Sequence, residues 1–168
     1  MYDRILVAID ATPTEENRSA QTRAEQIGRL TGATVYVLHV ARGHIIPGDI
    51  IGGAGFGVRS ADEDVEGANR QAVQALVDRL SAAGVDAHGE IVSATQHDVA
   101  GAILQRATEL NVDLLVLGHQ HHRGAGNVFR SSVADWIIHH HPPFSILLAR
   151  PPHGYSKRLV GETNRFKP

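Results

Sequence analysis

The chain has 168 residues, 42% of them hydrophobic and 20% charged, with a formal net charge of −2. Those values suit one globular domain with a single core and offer no global attraction to nucleic acid or an anionic membrane. Cysteine is absent and the only lysines are Lys157 and Lys167, which excludes disulfides, thiolate metal sites and cysteine nucleophiles and, before residue 157, a P-loop or Schiff-base lysine.

Arg4–Asp10 reads as a buried strand, a short apolar run closed by an acidic residue. No basic or long apolar leader precedes it and no apolar run reaches membrane-spanning length, so a cytoplasmic location is expected. Thr12 as N-cap, Pro13 at the first helical position and Glu15 three residues after Thr12 predict a helix to about Leu30, stopped by Thr31-Gly32. Thr34–Val40 is the second strand. Residues 41–59, with six glycines, form a long loop of the kind that serves as a lid or stays disordered. Ser60 caps a second helix, with Asp62, Glu63 and Asp64 at the positive end of its dipole. A third strand near Ala87–Val92, a helix His97–Leu110 and the apolar strand Val112–Leu117 follow. Residues 118–130 form a loop, Ser131–His140 a short helix, and Phe144–Ala149 the last strand.

The alternation of five strands with helices predicts an α/β fold: a doubly wound, five-stranded parallel sheet with helices on both faces. Ligands in such folds lie beyond the C-terminal strand ends at the topological switch point. That rule directs attention to Asp10–Thr12, Val40–Arg42 and Gly118–Ser132. Within the last segment, the buried strand end Leu117-Gly118 leads through a polar loop to Ser131-Ser132 at a helix start. Unsatisfied first-turn amides there make an anion site, or else the serines simply cap the helix. Gly118, Gly124 and Gly126 permit close backbone approach and positive φ.

Asp10 ending the first strand, Leu38-His39-Val40 ending the second, and the strand–Gly118–loop–Ser132-Val133-Ala134 unit resemble the universal stress protein family. The resemblance spans about residues 1–150, leaving 151–168 as a tail. It implies the Rossmann-like fold of the adenine nucleotide alpha hydrolases and a role as an ATP- or AMP-binding regulator or sensor in the stress response, with Mg²⁺ accompanying ATP. In the ATP-binding branch the late loop reads Gly-x2-Gly-x9-Gly-Ser/Thr. Gly118 matches the first glycine and Ser132 the hydroxyl position, whereas His121 and Ser131 stand where the second and third glycines would be.

Carried over residue by residue, the resemblance puts Asp10 on the adenine or ribose side, with the backbone of Ala8 and Ile9 beside it. The Val40 backbone would contact adenine. Gly118, next to Leu117, would lie beneath ribose and phosphates, and Ser132 and Val133 would donate to phosphate. His121 carries a Cβ where glycine would let phosphate touch the backbone, although its imidazole could contact phosphate instead. Ser131 keeps its N–H and adds only bulk.

Other constellations read more plainly. His119, His121, His122, His139, His140 and His141 are read as a solvated loop and a helix C-terminus favoured by the dipole, so no metal site is expected. Gly53-Ala54-Gly55-Phe56-Gly57 follows the wrong strand for a dinucleotide fingerprint, and no Gly-x-Ser-x-Gly elbow occurs. Asp135 and His139 are spaced to form a local ion pair, and Trp136 should pack in the core. Arg123 and Arg130 flank the late loop as exposed cations. Residues 150–168 hold five basic residues against Glu162 alone, net +4, while the preceding residues carry eleven basic against seventeen acidic side chains, net −6.

Three functions follow: a nucleotide-binding regulator, a nucleotide-free dimer acting through partner proteins, and a slow ATPase. The last lacks an identifiable general base or phosphate-binding lysine. The apolar edge strand Phe144–Ala149 favours a homodimer, as the family resemblance also implies.

Overall fold

The computed structural model describes residues 1–10, 14–42, 60–94, 98–118 and 133–151. Their elements run β1 (Arg4–Ile9), α1 (Glu15–Thr31), β2 (Thr34–Arg42), α2 (Ser60–Ala82), β3 (Ala87–Ala94), α3 (Val99–Glu109), β4 (Leu114–Gly118), α4 (Val133–His139) and β5 (Ser145–Ala149). The predicted order of elements is the observed one, with ends displaced by one to two residues. β2 is longer than expected: Ala41 and Arg42 stay paired with Ser93 and Ala94 of β3 instead of opening the loop.

All five strands are parallel, in the order β3-β2-β1-β4-β5. Helical crossovers impose that direction, because parallel neighbours cannot be joined by a tight turn. β1 is central and buried on both sides, which explains its unbroken apolar run. Ile5, Val7 and Ile9 pack with Ala20 and Ala24 of α1 and Val73, Leu76 and Leu80 of α2. On the opposite face Leu6 packs with Leu38, Leu115 and Leu117, Ala100, Ile103 and Ala107 of α3, and Ala134 and Ile137 of α4. The alternation of side chains along the strands thus sends α1 and α2 to one face and α3 and α4 to the other.

The start of α1 differs from the expected capping box. Thr14, not Thr12, is the N-cap; its backbone is extended, and its Oγ1 accepts from the Asn17 N–H at 3.1 Å. Thr12 and Pro13 lie outside the described residues. Asn17, Ala20, Ala24 and Gly28 form the buried stripe of α1, and Thr14 stands three residues before Asn17, within reach of its N–H. Gly32 closes the helix at φ 72° with its N–H on the Gly28 carbonyl, as the Thr31-Gly32 stop signal predicts.

At the N-terminal edge of the sheet, Asp113 ties β1 to β4. Its Oδ2 accepts from the N–H groups of Asp3 at 2.7 Å and Arg4 at 2.8 Å. Those two backbone donors hold its carboxyl below the ordinary aspartate range. Arg106 joins α3 to β3, its Nε donating to Glu90 at 2.6 Å.

Candidate functional site

Strand register brings the predicted residues together. Ala8 pairs with Leu38 on one side and Leu117 on the other, and Ile9 pairs with His39. Gly118 therefore ends β4 level with Ile9, and Val40 lies one step past His39, level with Asp10. Neighbouring strands are about 4.8 Å apart, so Ile9-Asp10, Val40 and Gly118 make a compact row at the C-terminal edge. β1→β2→β3 grows the sheet in one direction and α3 returns the chain to β4 on the other side of β1. The row therefore straddles the topological switch point, where open α/β sheets place their ligands.

Asp10 is exposed just past β1, and its main chain is fixed from below. Asn17, buried at 6% exposure, donates from Nδ2 to the Asp10 carbonyl at 2.9 Å, while its Oδ1 accepts from the Asp10 N–H at 3.4 Å. One side-chain amide thus serves both backbone groups at the point where the chain leaves the sheet.

His39 supports the adjoining residue. Its ring is buried at 7% exposure, and its Nδ1 lies 3.1 Å from the Ile9 carbonyl. A carbonyl oxygen only accepts, so Nδ1 carries the hydrogen of this contact. Neither Asn17 nor His39 received a role from sequence. A usable signal for Asn17 was its phase with Ala20, Ala24 and Gly28; for His39, it was one imidazole in the otherwise apolar run Val35–Val40.

Of the two uses of glycine expected at Gly118, close backbone approach and positive φ, the strand shows the first. Among the described glycines only Gly32 and Gly84 have positive φ, so Gly118 is ordinary strand backbone. A Cβ there would lie 3.0 Å from both C and O of Glu16 and 3.4 Å from the Asn17 nitrogen. The close approach is between β4 and the first turn of α1. Gly118 thereby lets α1 sit where Asn17 reaches Asp10.

Val133 opens α4 and is exposed at 38%. His121, Gly124, Ser131 and Ser132 lie outside the described residues, as do His119, His122, Arg123, Arg130 and residues 43–59 and 152–168. Among the described residues no three His, Asp or Glu side chains form a group able to hold a metal ion. The Asp135–His139 spacing does not produce the predicted ion pair: His139 Nδ1 donates to the Asp135 backbone carbonyl at 2.7 Å, capping the end of the helix. Trp136 is half-buried against the α3–α4 core cluster and stacks on His140 with ring centroids 3.6 Å apart. No helix among the described residues is long and apolar enough to cross a membrane.

The family model described as the universal stress protein family matches residues 1–144. The chain belongs to that family. Among solved structures, a universal stress protein family member from Burkholderia pseudomallei is 20% identical with a TM-score of 0.66, covering 89% of this chain and 96% of its own. The Archaeoglobus fulgidus universal stress protein in complex with dAMP is 20% identical with a TM-score of 0.60, over 88% and 98% of the two chains. An Arabidopsis thaliana family protein with AMP bound is 15% identical with a TM-score of 0.57, over 90% and 93%. At these identities the likeness is one of fold, and it agrees with the five-stranded parallel sheet of this universal stress protein. No curated protein sequence matches the chain.

Proposed function

We propose that this universal stress protein is an adenine-nucleotide-binding regulator or sensor, holding the adenosine part of ATP or AMP across the ends of β1, β2 and β4. The observation that carries the reading is the level row Ile9-Asp10, Val40 and Gly118 at the switch point, with the Asp10 main chain locked by Asn17. A pre-set backbone edge suits recognition of a flat base and a ribose, because little entropy is lost in ordering it on binding. Asp10 would accept from ribose or adenine donors, and the backbone at Val40 would meet the base edge. Ser132 and the Val133 N–H would serve phosphate, with Mg²⁺ accompanying ATP. The dAMP and AMP complexes of the relatives from A. fulgidus and A. thaliana support the ligand class.

Calorimetric titration with AMP and with ATP, with and without Mg²⁺, tests the reading. Saturable one-to-one binding that Asp10→Ala abolishes, in a variant with unchanged circular dichroism, is the expected result. No heat at millimolar nucleotide with a folded protein would overturn it.

A second reading rests on β5, which ends the sheet with Ile146, Leu147 and Leu148 only half-buried. An apolar edge strand invites pairing with a copy of itself. In this reading the protein is a β5-paired homodimer acting through partner proteins without nucleotide. Leu147→Lys would give monomers in sedimentation; a dimer that persists argues against β5 as the interface.

A further inference from the structure

A recess with charged side chains in its lining lies beside α1. It has a volume of about 380 Å³ and runs between the outer flank of α1 and the segment that follows β5. Arg18 and Arg23 project into it from α1, and Arg150 enters from beyond Ala149. Ser19 and Thr22 supply hydroxyls between the arginines, and Glu15 is the one acidic side chain in the lining. The local balance is net +2 in a chain whose total is −2.

Among the described residues, the arginines of this recess are drawn together on one hollow without carboxylate partners, as Arg4 and Arg29 elsewhere are without them singly. Arg70, Arg79 and Arg106 each reach a carboxylate within 3.4 Å. Among the described residues, Arg18, Arg23 and Arg150 reach none, although Glu15 shares the recess. Arg23 is instead turned along the helix, its Nη1 donating to Gln26 at 2.8 Å. That bond holds it away from Arg18, already about 7.5 Å distant along the axis at the α-helical rise per residue. All three are exposed, so an incoming anion needs no rearrangement of the core.

The recess shares α1 with the proposed nucleotide site but uses another side of the helix: Arg18, Ser19, Thr22, Arg23 and Gln26 line it, whereas Asn17, which reaches Asp10, belongs to the buried stripe with Ala20, Ala24 and Gly28. Planar guanidinium groups recognise phosphate oxygens bidentately, and hydroxyls between them fill the remaining acceptor sites. The separation of Arg18 from Arg23 exceeds what one tetrahedral phosphate spans. We propose that the recess between α1 and the end of β5 is a binding site for a small ligand carrying two or more linked phosphate groups, independent of the adenosine site.

The probes are inorganic tripolyphosphate, orthophosphate and an aspartate hexapeptide, titrated calorimetrically into the full chain at fixed ionic strength. Expected is saturable binding of one tripolyphosphate per chain, with orthophosphate at least about tenfold weaker, since it engages fewer guanidinium groups. Arg18→Gln combined with Arg150→Gln should lower tripolyphosphate affinity about tenfold or more. Thr22→Glu, which puts a negative charge between the arginines, should abolish it, and Asp10→Ala should leave it unchanged. Circular dichroism confirms that each variant is folded. The proposal is overturned by non-saturable binding, by equal affinity for orthophosphate, or by affinity unchanged in the double variant. Loss of binding in Asp10→Ala would assign the phosphates to the adenosine site, and tighter binding of the hexapeptide would make the recess a peptide surface.

Discussion

Gly118→Ala separates the packing role of this residue from a ligand role. The added methyl would sit 3.0 Å from the Glu16 carbonyl carbon and oxygen, some tenths of an ångström inside ordinary contact. Those atoms belong to helix backbone, so the first turn of α1 must move as a unit. Overpacking of this kind costs about 1–3 kcal/mol. The loss of glycine's freedom in the unfolded chain returns about 0.4–1 kcal/mol, and β4 has no left-handed backbone at Gly118 to add strain. The net expectation is destabilisation by about 1–2 kcal/mol, a fall in Tm of about 2–8 °C for a chain of this length. Urea unfolding followed at 222 nm provides the free energy, and a thermal melt the midpoint. A displaced first turn also withdraws Asn17 from Asp10, so nucleotide affinity should fall together with stability. Wild-type stability in Gly118→Ala would refute the close approach of β4 and α1, and unchanged stability with lost affinity would make Gly118 a ligand contact alone.

Three further outcomes follow from the same geometry. Asn17→Ala removes the side-chain donor to the half-buried hydrogen bond at the Asp10 carbonyl and should cost about 0.5–1.5 kcal/mol, read from the urea midpoint at constant slope; Asn17→Asp, which restores an acceptor but no donor, should not rescue it. His39→Phe keeps ring volume and removes the Nδ1–H donor to Ile9; a loss of about 1–2 kcal/mol is expected, and wild-type stability would show that this hydrogen bond contributes nothing. Asp113 has a depressed folded pKa, so its contribution is fully present above the unfolded carboxylate value of about 3.9 and is lost as pH falls through the lower folded value. The stability gap between wild type and Asp113→Asn should therefore be constant near neutrality and narrow below about pH 4; a gap that stays constant to the acid limit would contradict the backbone hydrogen bonds as its cause.

The fold was legible because its signals are local. The apolar runs of β1 and β4 and the stop at Thr31-Gly32 each announce themselves within a few residues, and helical connections between all strands leave parallel pairing as the economical arrangement. The helix start misled because two threonines stand close together, and the Thr12–Glu15 spacing imitates a capping box. Thr14 caps by accepting from the Asn17 N–H, a contact that the Thr12–Glu15 spacing does not reveal. Gly118 shows the same division: its being glycine was visible, but the backbone it accommodates is more than 100 residues away in the chain. The Asp135–His139 spacing suggested an ion pair because sequence separation cannot distinguish a carboxylate from the carbonyl of the same residue.

The two polar residues that sequence left without roles make the row of strand ends more than a coincidence of register. The main-chain carbonyls of Ile9 and Asp10 lie where β1 ends. His39 reaches one from β2 and Asn17 reaches the other from α1, so the edge is defined by elements whose positions the core already dictates. Under the proposed function this divides the site into two parts with different tolerances. The adenosine side rests on the sheet and on Asn17, and keeps its shape whatever the late loop does. The phosphate side depends on the segment that carries His121 and Ser131 in place of two glycines. Substitutions in that segment should alter discrimination between AMP and ATP, while substitutions at Asn17 or His39 should weaken both nucleotides by a common factor.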